Sequence, residues 1–134
     1  MVDEAPFAPS TVREFLADPT DAQWESHKTW AGPDGASWCP DRLMGVRIGV
    51  VSPDYAYRTY PANMHDWRYR LGRVGDLPAS WRKRADAQLK YDIRDHLYNN
   101  GIGGVAYAIG WVAAAAIYWV VRVMGWFAWY GDAE

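Results

Sequence analysis

Hydrophobic residues recur at helical spacing in the middle of this chain and form an unbroken run near its end. Asp86, Leu89, Ile93 and Leu97 are three or four residues apart, which places them on one stripe of a helix predicted over 79–98. A second helix is predicted over 61–72, because a proline at position 61 fits the first helical turn. We expect the two helices to form an antiparallel pair.

The apolar run over 101–121 contains no charged residue and is long enough to cross a bilayer. An apolar helix of this length is also typical of the core of a small domain or of an oligomer interface, so both interpretations stay open. If the segment meets a membrane, its aromatic side chains suit the interfacial belt, and an arginine can extend to the headgroups. The residues expected to contact lipid are Trp111, Trp119, Arg122, Trp126 and Trp129.

The remaining pattern predicts a short helix capped by Ser10 and one β-strand over 43–51. Residues 20–30 fit either a strand or a helical turn. The fold class is therefore mainly α with a small β element, in one domain overall. We divide it into an acidic N-terminal arm (1–30), a motif region (31–100) and an apolar C-terminal helix (101–131).

Charge and cysteine content narrow the protein class further. Residues 1–41 hold eight acidic and two basic residues, whereas residues 65–96 hold eight basic and five acidic ones. The basic part is expected to face either the acidic arm or anionic lipid. Cys39 is the single cysteine, so an intrachain disulfide is excluded, as expected for a reducing cytosol or a virion part. The first residues lack the apolar run of a secretory signal peptide, and nothing is typical of nucleic-acid recognition.

The candidate chemistry lies on the two predicted helices. His65 and Tyr69 are four residues apart and share a face of the first helix. Asp86 lies in line with the aliphatic stripe of the second helix, and a buried carboxylate needs a partner because an isolated buried charge is costly. We therefore predict a hydrogen bond between the His65 imidazole and Asp86.

Two resemblances rest on these motifs. His-Asp-x-x-Tyr at 65–69 followed by Ala-Asp-x-x-Leu at 85–89 resembles the active-site helix pair of phospholipase A2, in the compact form carried on parvovirus capsid proteins. Residues 30–35 are similar to the glycine-rich calcium loop of that family, with Asp34 in place of the second glycine. The order of motifs after residue 30 also resembles small proteins of unknown function from tailed phages and prophages.

The phospholipase resemblance implies roles for individual residues. His65 would be the general base, Asp86 would fix its tautomer, and Tyr69 would orient a carboxylate. Calcium would be the cofactor and would stabilise the oxyanion. Its ligands would come from Asp66 and the loop residues Gly32, Asp34 and Gly35.

The expected function is a phage- or virus-associated, calcium-dependent hydrolase of lipid acyl esters that acts at a membrane. The alternative is a non-catalytic virion, tail or membrane-attached component in which the His-Asp motif is a structural clasp. Expected partners are a phospholipid membrane or other virion proteins, with a homo-oligomer left open and no nucleic acid. The expected location is the virion, the host cytoplasm or the inner membrane.

Overall fold

The fold is mainly helical, as the sequence predicts. A computed structural model describes residues 9–27, 40, 42–49, 60–126 and 129. Two short helices, α1 (Val12–Leu16) and α2 (Asp21–His27), precede a small hairpin of β1 (Arg42–Leu43) and β2 (Val46–Arg47). Three longer helices follow: α3 (Pro61–Gly75), α4 (Ala79–Asn99) and α5 (Gly104–Met124).

Helix α4 lies between α3 and α5 and runs antiparallel to both. Tyr60, just before α3, packs edge-on against His96 late in α4, whereas Tyr69 farther along α3 accepts a hydrogen bond from Arg82 early in α4. The same holds for α4 and α5, where Arg82 bonds to the carbonyl of Arg122 near the far end of α5. The predicted antiparallel pair is therefore present, and the apolar C-terminal helix packs along it.

The helix ends follow from local residue chemistry. Pro61 occupies the first turn of α3, as predicted, because a proline there leaves no intrahelical hydrogen bond unmade. Asp76 ends the helix in the left-handed conformation with φ of 52°, a backbone region that Asp tolerates better than most residues. Pro78 then precedes α4, so only three residues separate the two helices.

The N-terminal elements differ in detail from the sequence prediction. Thr11, not Ser10, caps α1, since its hydroxyl accepts the backbone N–H of Glu14. The Glu14 carboxylate in turn accepts a hydrogen bond from the backbone N–H of Ser10, so the two ends of the first turn cap each other. Of the two alternatives for the segment after residue 20, the helical one is observed over α2.

The prediction of a single strand over 43–51 is wrong. Met44 and Gly45 both have positive φ, 54° and 79°, and together they form a tight turn between two strands of two residues each. Positive φ at both central residues is typical of the hairpin turns that match strand twist. Residues 50 and 51 of the prediction lie outside the described residues.

The apolar core has two parts. One cluster joins α1, α2 and α3 to the C-terminal end of the described chain, and its buried members are Phe15, Trp24, Trp67, Tyr69, Leu71, Ala85 and Trp129. The other fixes α5 and the hairpin on α4, with buried members Ile48, Leu89, Ile93, Leu97, Ala114, Ile117 and Val121. The predicted stripe Leu89, Ile93 and Leu97 is therefore in the core, and Asp86 begins it.

Candidate functional site

The predicted hydrogen bond between the two motif helices is present. Nε2 of His65 on α3 lies 2.7 Å from Oδ1 of Asp86 on α4, and both side chains are fully buried. The hydroxyl of Tyr69, one turn after His65, donates to the same Asp86 oxygen at 2.7 Å. The three residues that the phospholipase resemblance makes catalytic therefore form one hydrogen-bonded group.

Helix α5 closes this group from the other side. The guanidinium of Arg122 lies 2.8 Å from Oδ2 of Asp86, so both carboxylate oxygens are occupied. Arg82, buried on α4, donates Nε–H to the Tyr69 hydroxyl and bonds to the backbone carbonyls of Val121 and Arg122. One polar network therefore ties α3, α4 and the last turn of α5 together.

The network favours an ionised Asp86. Burial by itself raises the pKa of a carboxyl group, but here the hydrogen bonds from His65, Tyr69 and Arg122 hold the pKa of Asp86 below its ordinary value. The pKa of Tyr69 is raised, first by burial and then by the neighbouring Asp86 charge. The Tyr69 hydroxyl therefore keeps its proton and remains a donor.

The tautomer of His65 follows from its partner. An ionised carboxylate only accepts hydrogen bonds, so the proton of the neutral ring lies on Nε2 and the lone pair on Nδ1. Nδ1 has no hydrogen-bond partner among the described residues, although it is buried. It is thus a buried acceptor oriented by Asp86, as a base in a catalytic triad is oriented by its third member.

Asp66, the predicted calcium ligand, has a different observed partner. Its Oδ2 lies 3.1 Å from Nε2 of His27 on α2, and both side chains are buried. Asp66 is buried because the first half of α3 is buried along its whole length. No local spacing pointed to His27, because the pairing spans 39 residues.

Of the four predicted calcium ligands, Asp66 is the one that lies among the described residues. Calcium takes six to eight oxygen ligands, and no group of three or more His, Cys, Asp or Glu side chains that could hold a metal occurs in the described ranges. The other predicted ligands, Gly32, Asp34 and Gly35, lie outside those ranges. Calcium stays a prediction from the resemblance.

The predicted lipid-contact residues divide into two groups. Trp111, Trp119 and Trp126 are exposed on or just after α5, with Trp119 64% exposed. Trp129 is only 2% exposed and packs edge-on against Phe15 and Tyr69, so its assignment to a lipid-facing surface is wrong. The reason is close packing, since Gly72 of α3 leaves room for the indole ring and a Cβ there would overlap it.

Arg122 also differs from its prediction. Its guanidinium turns inward to Asp86 instead of extending to headgroups. The sequence did contain a signal, because Arg122 is the single charged residue in α5 and a lone charge on an apolar helix requires a partner. Arg82 was not predicted either, because it stands in a run of three basic residues, a pattern more typical of a solvated surface than of a buried site.

Comparison of the chain with family models, curated proteins and solved structures finds no match.

Proposed function

We propose that this protein is a phospholipase A2-like ester hydrolase that acts at a membrane, with His65 as the general base. The observation that carries the proposal is the 2.7 Å bond from His65 Nε2 to an ionised Asp86, with Nδ1 left without a partner among the described residues. A base held in one tautomer by a carboxylate is the arrangement that proton abstraction from water requires.

The chemistry follows from the free lone pair. Nδ1 takes a proton from a water molecule as the water oxygen forms a bond to the ester carbonyl carbon. Asp86 stabilises the imidazolium that results. His65 then returns the proton to the leaving alkoxide oxygen as the carbon–oxygen bond breaks, so one ester and one water yield one acid and one alcohol. Tyr69 and Arg82 keep Asp86 and the ring in place.

The energetics of the network support a functional role. Breaking even one buried charged pair is strongly destabilising, and buried ion pairs are often no more stabilising than well-packed apolar residues would be. Helix α3 nevertheless buries His65, Asp66, Arg68 and Arg70. Titratable groups concentrated and buried in this way are typical of functional sites. Because the His65 ring is fully buried, the reaction requires an opening that admits substrate and water to Nδ1.

The test is release of fatty acid from vesicles of phosphatidylcholine and phosphatidylglycerol by the purified chain. His65→Gln is the informative variant, because the glutamine amide can still donate to Asp86 but cannot act as a base. His96→Gln is the matched control, since His96 on α4 bonds to the carbonyl of Arg47 away from the site. We expect release by the wild type and by His96→Gln and not by His65→Gln. Added chelator shows whether release requires calcium.

A second function is favoured by the full burial of His65 and Asp86. In this alternative the network is a clasp in a non-catalytic membrane-attached or virion component, and its role is to hold α5 on α3 and α4. The clasp predicts no fatty-acid release by any form of the folded chain. It also predicts that His65→Gln retains wild-type stability to within about 1 kcal/mol, because the bond to Asp86 survives. A phage or virion origin stays a prediction from the second resemblance.

A further inference from the structure

One side of α5 presents apolar side chains to the outside along its whole length. Val105 is 78% exposed, Val112 is 72% exposed and Val123 is 65% exposed. Exposed apolar surface along a whole helix marks an interaction site. We call this surface the outer face of α5, defined by Val105, Ile109, Val112, Trp119, Val123 and Trp126.

The exposed apolar surface of α5 extends beyond the outer face on both sides and is wider than one partner helix covers. Trp111 and Val120 are both exposed, and their nine-residue separation places them about half a turn apart around the helix. The apolar surface between them therefore spans roughly 180°, whereas the stripe that packs on a neighbouring helix is about 100° wide. A second copy of α5 would leave part of this surface in water, but a lipid phase would cover all of it.

Cationic side chains follow one margin of the outer face. The Arg94 guanidinium lies 3.6 Å from the ring centroid of Trp111 and bonds to the Trp111 carbonyl, and the Lys90 ammonium lies 5.0 Å from the Tyr118 ring centroid. Lys83 is exposed, and it is seven residues before Lys90, so it shares that face of α4. A row of cations beside an apolar surface complements anionic lipid headgroups.

The packing of α5 determines how it meets the membrane. Among the described residues α5 is the helix long and apolar enough to cross a bilayer, and it lies far from the N-terminus. At about 30 Å its length matches the hydrocarbon core. However, α4 packs antiparallel along α5 over most of this length. Leu97 of α4 lies beside Gly110, and Arg82 of α4 bonds to the carbonyl of Arg122. A spanning α5 would carry the Lys90 and Arg94 side chains into the hydrocarbon, where charged groups are costly.

We propose that the outer face of α5 docks flat on an anionic phospholipid membrane, with the helix axis in the membrane plane and the Lys83–Lys90–Arg94 row at the headgroups. The helix inserts about 5–10 Å below the phosphates, as amphipathic interfacial helices do. The inference goes beyond the proposed hydrolysis, because docking requires no contribution from His65.

Binding is tested by vesicle flotation with the His65→Gln chain, so that hydrolysis does not contribute. We expect binding to vesicles in which about a third of the lipid is phosphatidylglycerol, weak binding to pure phosphatidylcholine, and loss of binding at high salt. Arg94→Gln should weaken binding about five-fold, the effect of one surface-bound cation, whereas Arg13→Gln on α1 should not change it. Trp119→Gln should weaken binding more than Arg94→Gln does, because it removes the more exposed of the two tryptophans on the outer face.

Orientation is tested by the depth of spin labels on Val112→Cys and Val123→Cys, each made with Cys39→Ser. Equal, shallow depths are expected for an in-plane helix. A spanning helix would place the two labels about 16 Å apart in depth, and that result would overturn the proposal. It would also be overturned by salt-insensitive binding to neutral vesicles, or by a stable dimer in vesicle-free buffer that Trp119→Gln dissociates, because the occupant would then be a second copy. Absent fatty-acid release would refute the hydrolase and leave the docking result unaffected.

Discussion

Asp86 is the residue on which most of the polar network depends, and Asp86→Asn perturbs it with little change in volume. The carboxylate accepts from His65, Tyr69 and Arg122. An asparagine presents one accepting oxygen and one donating amide in their place. Whichever way the amide is turned, at least one of the three donors faces another donor. The His65 ring can accept from the amide only if its own proton moves to Nδ1.

The expected loss of stability follows from the contacts. Breaking a buried ion pair by removing one partner costs about 3–5 kcal/mol. Because the Arg122 side chain is 24% exposed and can turn toward water, we expect the lower end, about 3 kcal/mol. For a chain of this size that corresponds to a fall in Tm of about 10–15 °C. Because the free energy of unfolding of small domains is about 5–15 kcal/mol, the variant should remain folded at room temperature.

Chemical denaturation of the variant measures this difference. Asp95→Asn is the matched control, because Asp95 is exposed on the same helix and surface substitutions change stability by about 0.5 kcal/mol or less. The pH dependence adds a second criterion. The folded-state pKa of Asp86 lies below its unfolded value of 3.8, so its contribution is complete above that value and is lost as the pH falls through the folded-state pKa. The wild-type advantage over Asp86→Asn should therefore shrink below about pH 4.

A loss of less than about 1 kcal/mol at pH 7 would contradict the network. So would an advantage that is unchanged between pH 7 and pH 2, because the stabilising species would then not be the ionised carboxylate.

Two further predictions concern Gly72 and Tyr69. Gly72→Ala should destabilise the chain by about 1–3 kcal/mol through overpacking against Trp129. Gly75→Ala is the control and should be neutral or slightly stabilising, because a new Cβ there meets only ordinary contacts. Equal effects of the two substitutions in denaturant unfolding would refute the packing of Trp129 on Gly72. The raised pKa of Tyr69 means that the folded chain loses stability as the pH rises above about 10, where the unfolded tyrosine ionises first. Tyr69→Phe should reduce this alkaline loss, and an unchanged alkaline unfolding curve would show that Tyr69 does not contribute to it.

The sequence was sufficient for the contacts that local spacing determines. His65 and Tyr69 share a helical face because they are four residues apart, and Asp86 heads an aliphatic stripe, so their meeting required only that the two helices pack side by side. The mainly helical class followed from the same periodicity. These features depend on one or two helices at a time.

What could not be predicted depends on the packing of elements distant in sequence. Arg122 reaches Asp86 only because α5 folds back antiparallel on α4, and the apolar run alone is equally compatible with a helix that leaves the domain. Trp129 is buried because the same antiparallel packing brings the chain after α5 back against α3. His27 meets Asp66 through the docking of α2, which the sequence left ambiguous between strand and helix. The hairpin was missed because Met44, an uncommon residue at positive φ, gives little sign of a turn.

The proposed hydrolysis depends on His65 acting as a base, and the most direct test is the ratio of fatty-acid release rates for the wild type and His65→Gln on the same anionic vesicles. Loss of a general base lowers the rate by about 100- to 10,000-fold, so we predict a ratio of at least about 100, with both proteins folded and bound to the vesicles. A ratio near one would contradict the assignment of His65, and no release by the folded, vesicle-bound wild type would contradict the hydrolase and favour the clasp.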